Sequence, residues 1–205
     1  MPKQIFLNLR VQKQQMILSA LRDEFMKSSY AQLTVSRVIR EAGISRASFY
    51  TYFKDKEDAF SCMLKAMVWD AEEMLAATFR QSRGRFCSGM ERMFCFLIKT
   101  NAGRLYLQMY RHALDDGGCE SVLRQAEQEY YREESWKRRG RNCLEALDRM
   151  RYPNLNEERM ACAVDMGISI LYRALMLYPN CQAGRKELRK AVRTQLSILE
   201  QGIMG

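Results

Sequence analysis

The chain has 205 residues, of which 47% are hydrophobic and 28% are charged, a balance that excludes a wholly disordered chain. Its formal net charge of +9 favours an anionic partner, such as nucleic acid or an acidic membrane surface. The first 60 residues hold 10 of the basic and 6 of the acidic side chains, so positive charge is only slightly denser there. Charge therefore supports an anionic partner without identifying it.

Seven cysteines are scattered along the chain, an odd number without any Cys-x-x-Cys pair. This spacing excludes a disulfide framework and a zinc site, so we expect buried thiols, no metal and no cofactor. The most apolar stretch, 160–178, is interrupted by Asp165 and Arg173, which argues against a membrane span. The apolar stretch at the start is too short for a signal peptide. We expect a soluble, cytoplasmic protein.

One long helix followed by two short helices is predicted for the first 52 residues. Apolar residues at spacings of three and four predict a helix from about 9 to 27. A second helix, 35–42, has Thr34 as its N-cap and Gly43 as the residue that ends it. A third begins after Ser45 and reaches about Tyr52.

The rest of the chain continues the helical pattern, without the two-residue alternation of a sheet. Asp55 is the predicted N-cap of a long helix, and its negative charge suits the positive end of the helix dipole. Further helices are predicted over about 86–98, from Gly103 to about 114, and, as one long polar helix, over about 119–150. The fold class is therefore all-α.

The last two predicted helices carry unusually large apolar surfaces. The segment 160–177 is apolar nearly all the way round, and 185–201 has a clear apolar stripe. Two such neighbours indicate subunit association, and a core hairpin buried in one subunit is the alternative. The predicted interface residues are Ile168, Leu171, Leu175, Leu188, Val192, Leu196 and Leu199.

The most informative segment is 33–57, which predicts two short helices joined by a tight turn at 42–44. Val38, Ile39, Ile44 and Phe49 are expected to face inward and hold the crossing angle. The first turn of the second helix, 45–48, then stays exposed. This is the layout of a helix-turn-helix, whose second helix enters the major groove of DNA with its N-terminal residues against the base edges.

The side chains of this segment suit DNA contact. The Arg46 guanidinium can form a pair of hydrogen bonds to one guanine, and the Ser48 hydroxyl can form a hydrogen bond to several of the bases. The Ala47 methyl can contact a thymine methyl. Hydroxyl and amine groups nearby can donate to phosphates. Two alternatives stay open: Arg46 contacts phosphate only, and Tyr52 packs against the first helix. The predicted DNA-binding residues are Thr34, Ser36, Ser45, Arg46, Ala47, Ser48, Tyr50, Tyr52 and Lys56.

Several of these features occur together in one known family. The Thr34-Val35 helix start, the turn 42–45, the run Phe-Tyr-x-Tyr-Phe at 49–53 and the pair Lys56-Glu57 resemble the N-terminal domain of TetR-type repressors. The resemblance covers about residues 10–60. Ile39 departs from the family, which usually has a small residue there.

The resemblance implies a three-helix DNA-binding domain over 1–53 and a larger helical ligand-binding and dimerisation domain over 54–205. It implies a homodimer on a palindromic double-stranded DNA operator, released by a small-molecule inducer whose class stays open. We expect a mostly apolar cavity for that inducer. An aromatic and methionine stripe at helical spacing is more often plain core than the lining of a cavity. The candidate lining residues are Phe94, Tyr106, Met109, Tyr110, Trp136 and Met166.

Other functions are less well supported by the residues. The chain has one histidine, no phosphate-cradling glycine loop and no set of nucleophile, base and orienting group, so we expect no enzyme activity. The alternative function is a helix-turn-helix protein whose C-terminal part binds another protein or senses redox state through a thiol, without an inducer.

Overall fold

The computed structural model describes residues 2–177 and 185–204. Within these residues the chain is all-α, as the sequence predicts, with helices and one short 3-10 turn at Gly117–Cys119. The helices are α1 (Gln4–Leu7), α2 (Val11–Lys27), α3 (Val35–Glu41), α4 (Arg46–Tyr52), α5 (Lys56–Gln81), α6 (Phe86–Lys99), α7 (Asn101–Asp115), α8 (Glu120–Tyr130), α9 (Glu133–Glu145), α10 (Glu157–Leu177) and α11 (Arg185–Met204).

The chain divides into two compact units. Unit 1 contains residues 1–69 and 106–129, and unit 2 contains 70–105 and 130–205. The unit boundaries lie inside α5, α7 and α8, so they differ from the division after residue 53 that the sequence suggests. That division concerns function, and it stays a prediction.

Unit 1 is organised around an aromatic core between α2 and the start of α5. Phe25 of α2 and Phe60 of α5 meet edge to face, with ring centroids 4.7 Å apart. Val38 of α3 and Phe49 of α4 are buried in the same cluster, as predicted. Burying four such side chains removes several hundred square ångströms of apolar surface from water, at about 25 cal/mol per Å². This core fixes the two short helices, which are too short to be stable alone.

The turn between α3 and α4 depends on Gly43, as the sequence predicts. Gly43 has a φ of +58°, in the left-handed region that glycine adopts without strain. The Ile44 N–H donates to the carbonyl of Ile39 at 3.0 Å, and the Gly43 N–H donates to that of Arg40 at 3.3 Å. These bonds satisfy the last carbonyls of α3 and turn the chain sharply into α4.

Polar side chains cap the starts of α3 and α5 in unit 1. The Thr34 hydroxyl accepts a hydrogen bond from the Arg37 N–H at 3.3 Å, which confirms Thr34 as the cap of α3. A carboxylate oxygen of Asp55 accepts from the Asp58 N–H at 2.8 Å at the start of α5. Both bonds satisfy amides that a helix start leaves unpaired.

Unit 2 contains a buried ion pair. The Nε of Arg139, on α9, lies 3.0 Å from a carboxylate oxygen of Glu72, on α5, and the two side chains are 1% and 7% exposed. Arg138 reaches the other carboxylate oxygen at 3.4 Å. The Arg139 guanidinium also lies 3.4 Å from the centre of the Tyr130 ring. The Glu72 carboxylate thus forms ion pairs with two neighbouring arginines of this unit.

The prediction of a single helix over 119–150 is wrong. Helix α8 ends at Tyr130 and α9 begins at Glu133, because Arg132 has extended backbone (φ −62°, ψ 139°). Buried Arg139 stabilises the break, since its Nη2 donates to the Tyr130 carbonyl at 3.0 Å. Glu133 and Glu134 then occupy the positive end of the α9 dipole.

Candidate nucleic-acid interface

The first turn of α4 is capped and held by two serines. The Ser45 Oγ accepts a hydrogen bond from the Ser48 N–H at 3.0 Å, and the two hydroxyl oxygens lie 2.9 Å apart. Ser45 is exposed and Ser48 is half-buried. The capping bond fixes the backbone of the turn that a helix-turn-helix presents to base edges.

Arg46 and Ala47 extend from this turn into solvent. The Arg46 guanidinium lies over the Tyr50 ring, 5.5 Å from its centre, and its Nη2 donates to the Tyr50 hydroxyl at 3.5 Å. Stacking on an aromatic ring restricts a flexible side chain before it binds. The arrangement presents a cation, a methyl group and a phenol side by side on one exposed face of α4.

Thr34 and Ser36 lie at the start of α3, and both are exposed. They occupy the N-terminal turn of the helix that precedes α4. This placement suits donation to a phosphate oxygen beside the groove. Their predicted role as phosphate contacts stays a prediction.

Two of the predicted DNA contacts are engaged inside unit 1. Tyr52 is only 7% exposed, and its ring packs against Phe6 at 6.1 Å between centroids. Burial leaves Tyr52 little surface for a phosphate, because α1, which the sequence did not predict, covers it. The Lys56 Nζ donates to the backbone carbonyl of Tyr30 at 2.9 Å and lies 4.3 Å from the centre of the Tyr30 ring.

Sequence reasoning missed Lys3 as part of this region. Its Nζ donates to the Tyr50 carbonyl at 2.6 Å, and its backbone N–H donates to the Tyr52 carbonyl at 2.9 Å. The apolar run 5–7, which lies before the first predicted helix, was the sequence signal that this segment packs against the rest of the domain. These contacts place the start of the chain at the C-terminal end of α4.

The predicted pocket residues are divided between the two units. Tyr106 and Met109 pack with the core cluster of unit 1. In unit 2, Phe94 is buried, Trp136 lies 5.4 Å from the Arg139 guanidinium, and Met166 is 56% exposed. The side chain of the sixth candidate, Tyr110, lies outside the described part of the structure.

A described surface cavity of unit 2, of about 550 Å³, contains none of these candidates. It is a polar groove beside the start of α6. Its lining residues are Gln81, Ser82, Arg83, Arg85, Ser88, Glu91, Arg92 and Cys95.

Of the seven predicted interface residues, four are buried inside the chain itself. These are Leu171, Leu175, Val192 and Leu196. Their burial follows from the packing of α10 on α11 and α9, and of α11 on α6, within unit 2. Leu188 and Leu199 are half-buried, and Ile168 is exposed.

The exposed apolar surface of the last two helices lies beside those buried residues. On α10 it includes Met166, Ile168 and Tyr172, and on α11 it includes Ile198, which is 64% exposed. By length and composition α10 could cross a membrane, but residues such as Met160 and Val164 are buried in the core of unit 2. The apolar character of α10 is thus partly that of a core helix.

The described cysteines are free thiols, and several have raised pKa values. Burial raises the pKa of Cys62 to about 11, and it raises the pKa values of Cys119 and Cys143 to about 12. These three thiols are protonated at neutral pH, and the protonated form is a poor nucleophile.

Comparison with known proteins supports both the motif and the fold. Residues 17–61 match the family described as bacterial regulatory proteins, tetR family. A putative TetR-family transcriptional regulator from Mesorhizobium loti has a similar structure, with a TM-score of 0.62, 15% identity, and coverage of 93% of this chain and 96% of that one. SmeT, the repressor of the Stenotrophomonas maltophilia multidrug efflux pump SmeDEF, has a TM-score of 0.53, 15% identity, and coverage of 92% and 88%.

These two similarities establish the fold, and the matched segment contains α3, α4 and the turn between them. The first turn of α4 has the exposed, capped geometry that this segment needs to meet DNA. Residues 17–61 therefore match the tetR family of bacterial regulatory proteins, and the chain as a whole has the fold of these two similar structures.

Proposed function

We propose that the protein is a transcriptional repressor that binds a palindromic operator as a homodimer and leaves it when a small molecule binds. The observation that carries this proposal is the exposed first turn of α4, where Arg46 and Ala47 project beside a serine cap. Repression is supported by the similar structure of SmeT, which is a repressor. Such a protein acts on cytoplasmic DNA.

We assign recognition of the DNA base sequence to the side chains at the start of α4. Arg46 has a planar fork of donors, which matches the O6 and N7 acceptors of guanine. Each such paired contact is worth about 1–3 kcal/mol of discrimination against the wrong base. Thr34, Ser36 and Tyr50 are exposed and supply donors for phosphates, which position the helix without reading sequence.

Dimerisation is assigned to the exposed apolar side chains of α10 and α11. Met166, Ile168 and Ile198 are large, apolar and exposed in the isolated chain. A neighbouring copy that covers the same surface would bury them in an isologous, twofold interface. The twofold axis would repeat α4 on two successive faces of the major groove, so half-site centres would lie about 34–36 Å apart or a multiple of that.

Ligand binding is assigned to unit 2. This unit holds an aromatic group around buried Arg139, formed by Tyr130, Tyr131 and Trp136. Apolar and aromatic walls with a few fixed polar groups are typical of small-molecule sites. The thiol-sensing alternative gains no support from Cys62 and Cys143, because burial raises the pKa values of these two thiols well above neutrality.

The test is selection of a site from a random pool of DNA duplexes, followed by sedimentation of the complex. We expect enrichment of one inverted repeat, bound by one or two dimers. An Ile198→Glu variant should sediment as a monomer and bind the repeat weakly, whereas Leu114→Glu, an exposed change on α7, should remain dimeric. A pool without any enriched sequence would overturn the proposal.

A further inference from the structure

The segment before α2 is attached to the C-terminal end of α4. Lys3 makes both connections: its backbone N–H donates to the Tyr52 carbonyl at 2.9 Å, and its Nζ donates to the Tyr50 carbonyl at 2.6 Å. These residues precede 17–61, the part of the chain that matches the family. The attachment is therefore a feature that this match does not include.

Helix α4 needs stabilisation at this end. It has seven residues, and isolated helices of that length are unstable in water. Its N-terminal end has the Ser45 cap, but the last carbonyls of any helix lack partners within the helix. Lys3 supplies donors to two of these carbonyls and places a positive charge at the negative end of the helix dipole.

The attached segment is itself held in place from both sides. Phe6 of α1 is buried, and its ring lies 4.8 Å from that of Phe53, between centroids. The side-chain amide of Gln14, on α2, donates to the carbonyls of Leu7 and Leu9 at 3.0 and 2.9 Å. Lys3 is thus fixed relative to α2 as well as to α4.

We propose that residues 2–9, which we term the N-terminal clamp, hold the recognition helix α4 in its DNA-reading orientation, with Lys3 as a positioning residue. The proposal rests on the proposed operator-binding function. The clamp fixes the backbone that carries Tyr50, the residue on which Arg46 stacks. Loss of the clamp would loosen the C-terminal half of α4 and spread the orientations of Arg46.

The test compares Lys3→Met with Lys3→Arg on the selected operator in the full-length protein. Lys3→Met should weaken operator binding by roughly 3- to 10-fold, because one charge-assisted bond is lost. Lys3→Arg keeps the charge and the donors, so it should restore most of the affinity. Lys99→Met, which removes an exposed lysine of α6, is the matched control for the change in net charge and should leave affinity unchanged.

Salt dependence separates a positioning role from a phosphate contact. A lysine that contacts phosphate contributes about 0.9 to the slope of log affinity against log salt concentration. We expect Lys3→Met to leave this slope unchanged while it lowers affinity. A slope reduced by about 0.9 would show a phosphate contact and overturn the positioning role.

Hydrogen exchange tests the clamp without DNA. Deletion of residues 2–8 should speed exchange of the Phe49 and Phe53 amides, which bond within α4, by about 10-fold or more, while amides in α10 stay protected. Unchanged exchange at α4 would overturn the clamp even if operator binding is confirmed. If no operator is found, accelerated exchange at α4 still supports the clamp, so the two proposals can fail separately.

Discussion

The Ser45 hydroxyl accepts a hydrogen bond from the Ser48 N–H at 3.0 Å, so the residue that caps α4 also fixes the first turn of that helix, which we propose contacts DNA. The Ser48 hydroxyl lies 2.9 Å from the same oxygen. A single side chain therefore links the stability of α4 to the geometry of its exposed face.

Replacement of this cap should lower stability. Ser45→Ala removes the acceptor of the Ser48 amide, and loss of such a cap costs about 1 kcal/mol. We expect the free energy of unfolding in urea to fall by about that amount. Ser36→Ala, on the exposed face of α3, is the matched control and should stay within about 0.5 kcal/mol of the original. Equal losses in both variants would contradict the capping role.

Disruption of the buried ion pair in unit 2 should lower the free energy of unfolding by more than loss of the Ser45 cap. Glu72→Ala leaves the guanidinium of Arg139, 1% exposed, without its carboxylate. Removal of one partner of a buried pair costs about 3–5 kcal/mol, so the variant should unfold at much lower urea concentration. Glu73→Ala changes an exposed neighbour on the same helix and should have little effect. A Glu72→Ala variant as stable as Glu73→Ala would contradict this account of the pair.

High pH should destabilise the fold. Burial raises the pKa of Tyr152 to about 12 from about 10, and it raises that of Cys143 to about 12 from about 9. The folded state favours the neutral forms, so their contribution is complete below about pH 9 and is lost as the pH rises towards 12. We expect the free energy of unfolding to fall across this window.

Urea unfolding at a series of pH values measures this effect, with tyrosinate absorbance recorded in parallel. Tyr152→Phe removes one of the groups and should make the fall with pH shallower. It also removes the acceptor of the Phe86 N–H, a bond of 2.9 Å, so its stability should already be lower at neutral pH. The difference in tyrosinate absorbance between the original protein and Tyr152→Phe reports the ionisation of Tyr152. A midpoint near pH 10 in a still folded protein would contradict the raised pKa of Tyr152.

Much of unit 1 could be predicted from the sequence because its signals are local. The cap at Thr34, the helix start after Ser45 and the turn at Gly43 are each set by a few neighbouring residues, and the structure has all three where they were expected. The similar structures then confirmed the all-α fold, and the family match covers 17–61, which includes both short helices.

The errors of prediction have long-range causes. The break between α8 and α9 depends on Arg139, whose partner Glu72 is 67 residues away in sequence. The burial of Tyr52 depends on Phe6, which lies outside the recognised motif. The apolar patterns of α10 and α11 could not separate residues buried within the chain, such as Leu196, from residues exposed on its surface, such as Ile198.

The central claim is that the start of α4 reads base sequence. Its most direct test is the affinity of Arg46→Ala for the selected operator and for random duplex DNA at one salt concentration. The account predicts a loss of about 1–3 kcal/mol on the operator and a much smaller loss on random DNA, with discrimination relaxed at a guanine. An equal loss on both DNAs would show that Arg46 contacts only phosphate and would contradict the assigned reading of bases.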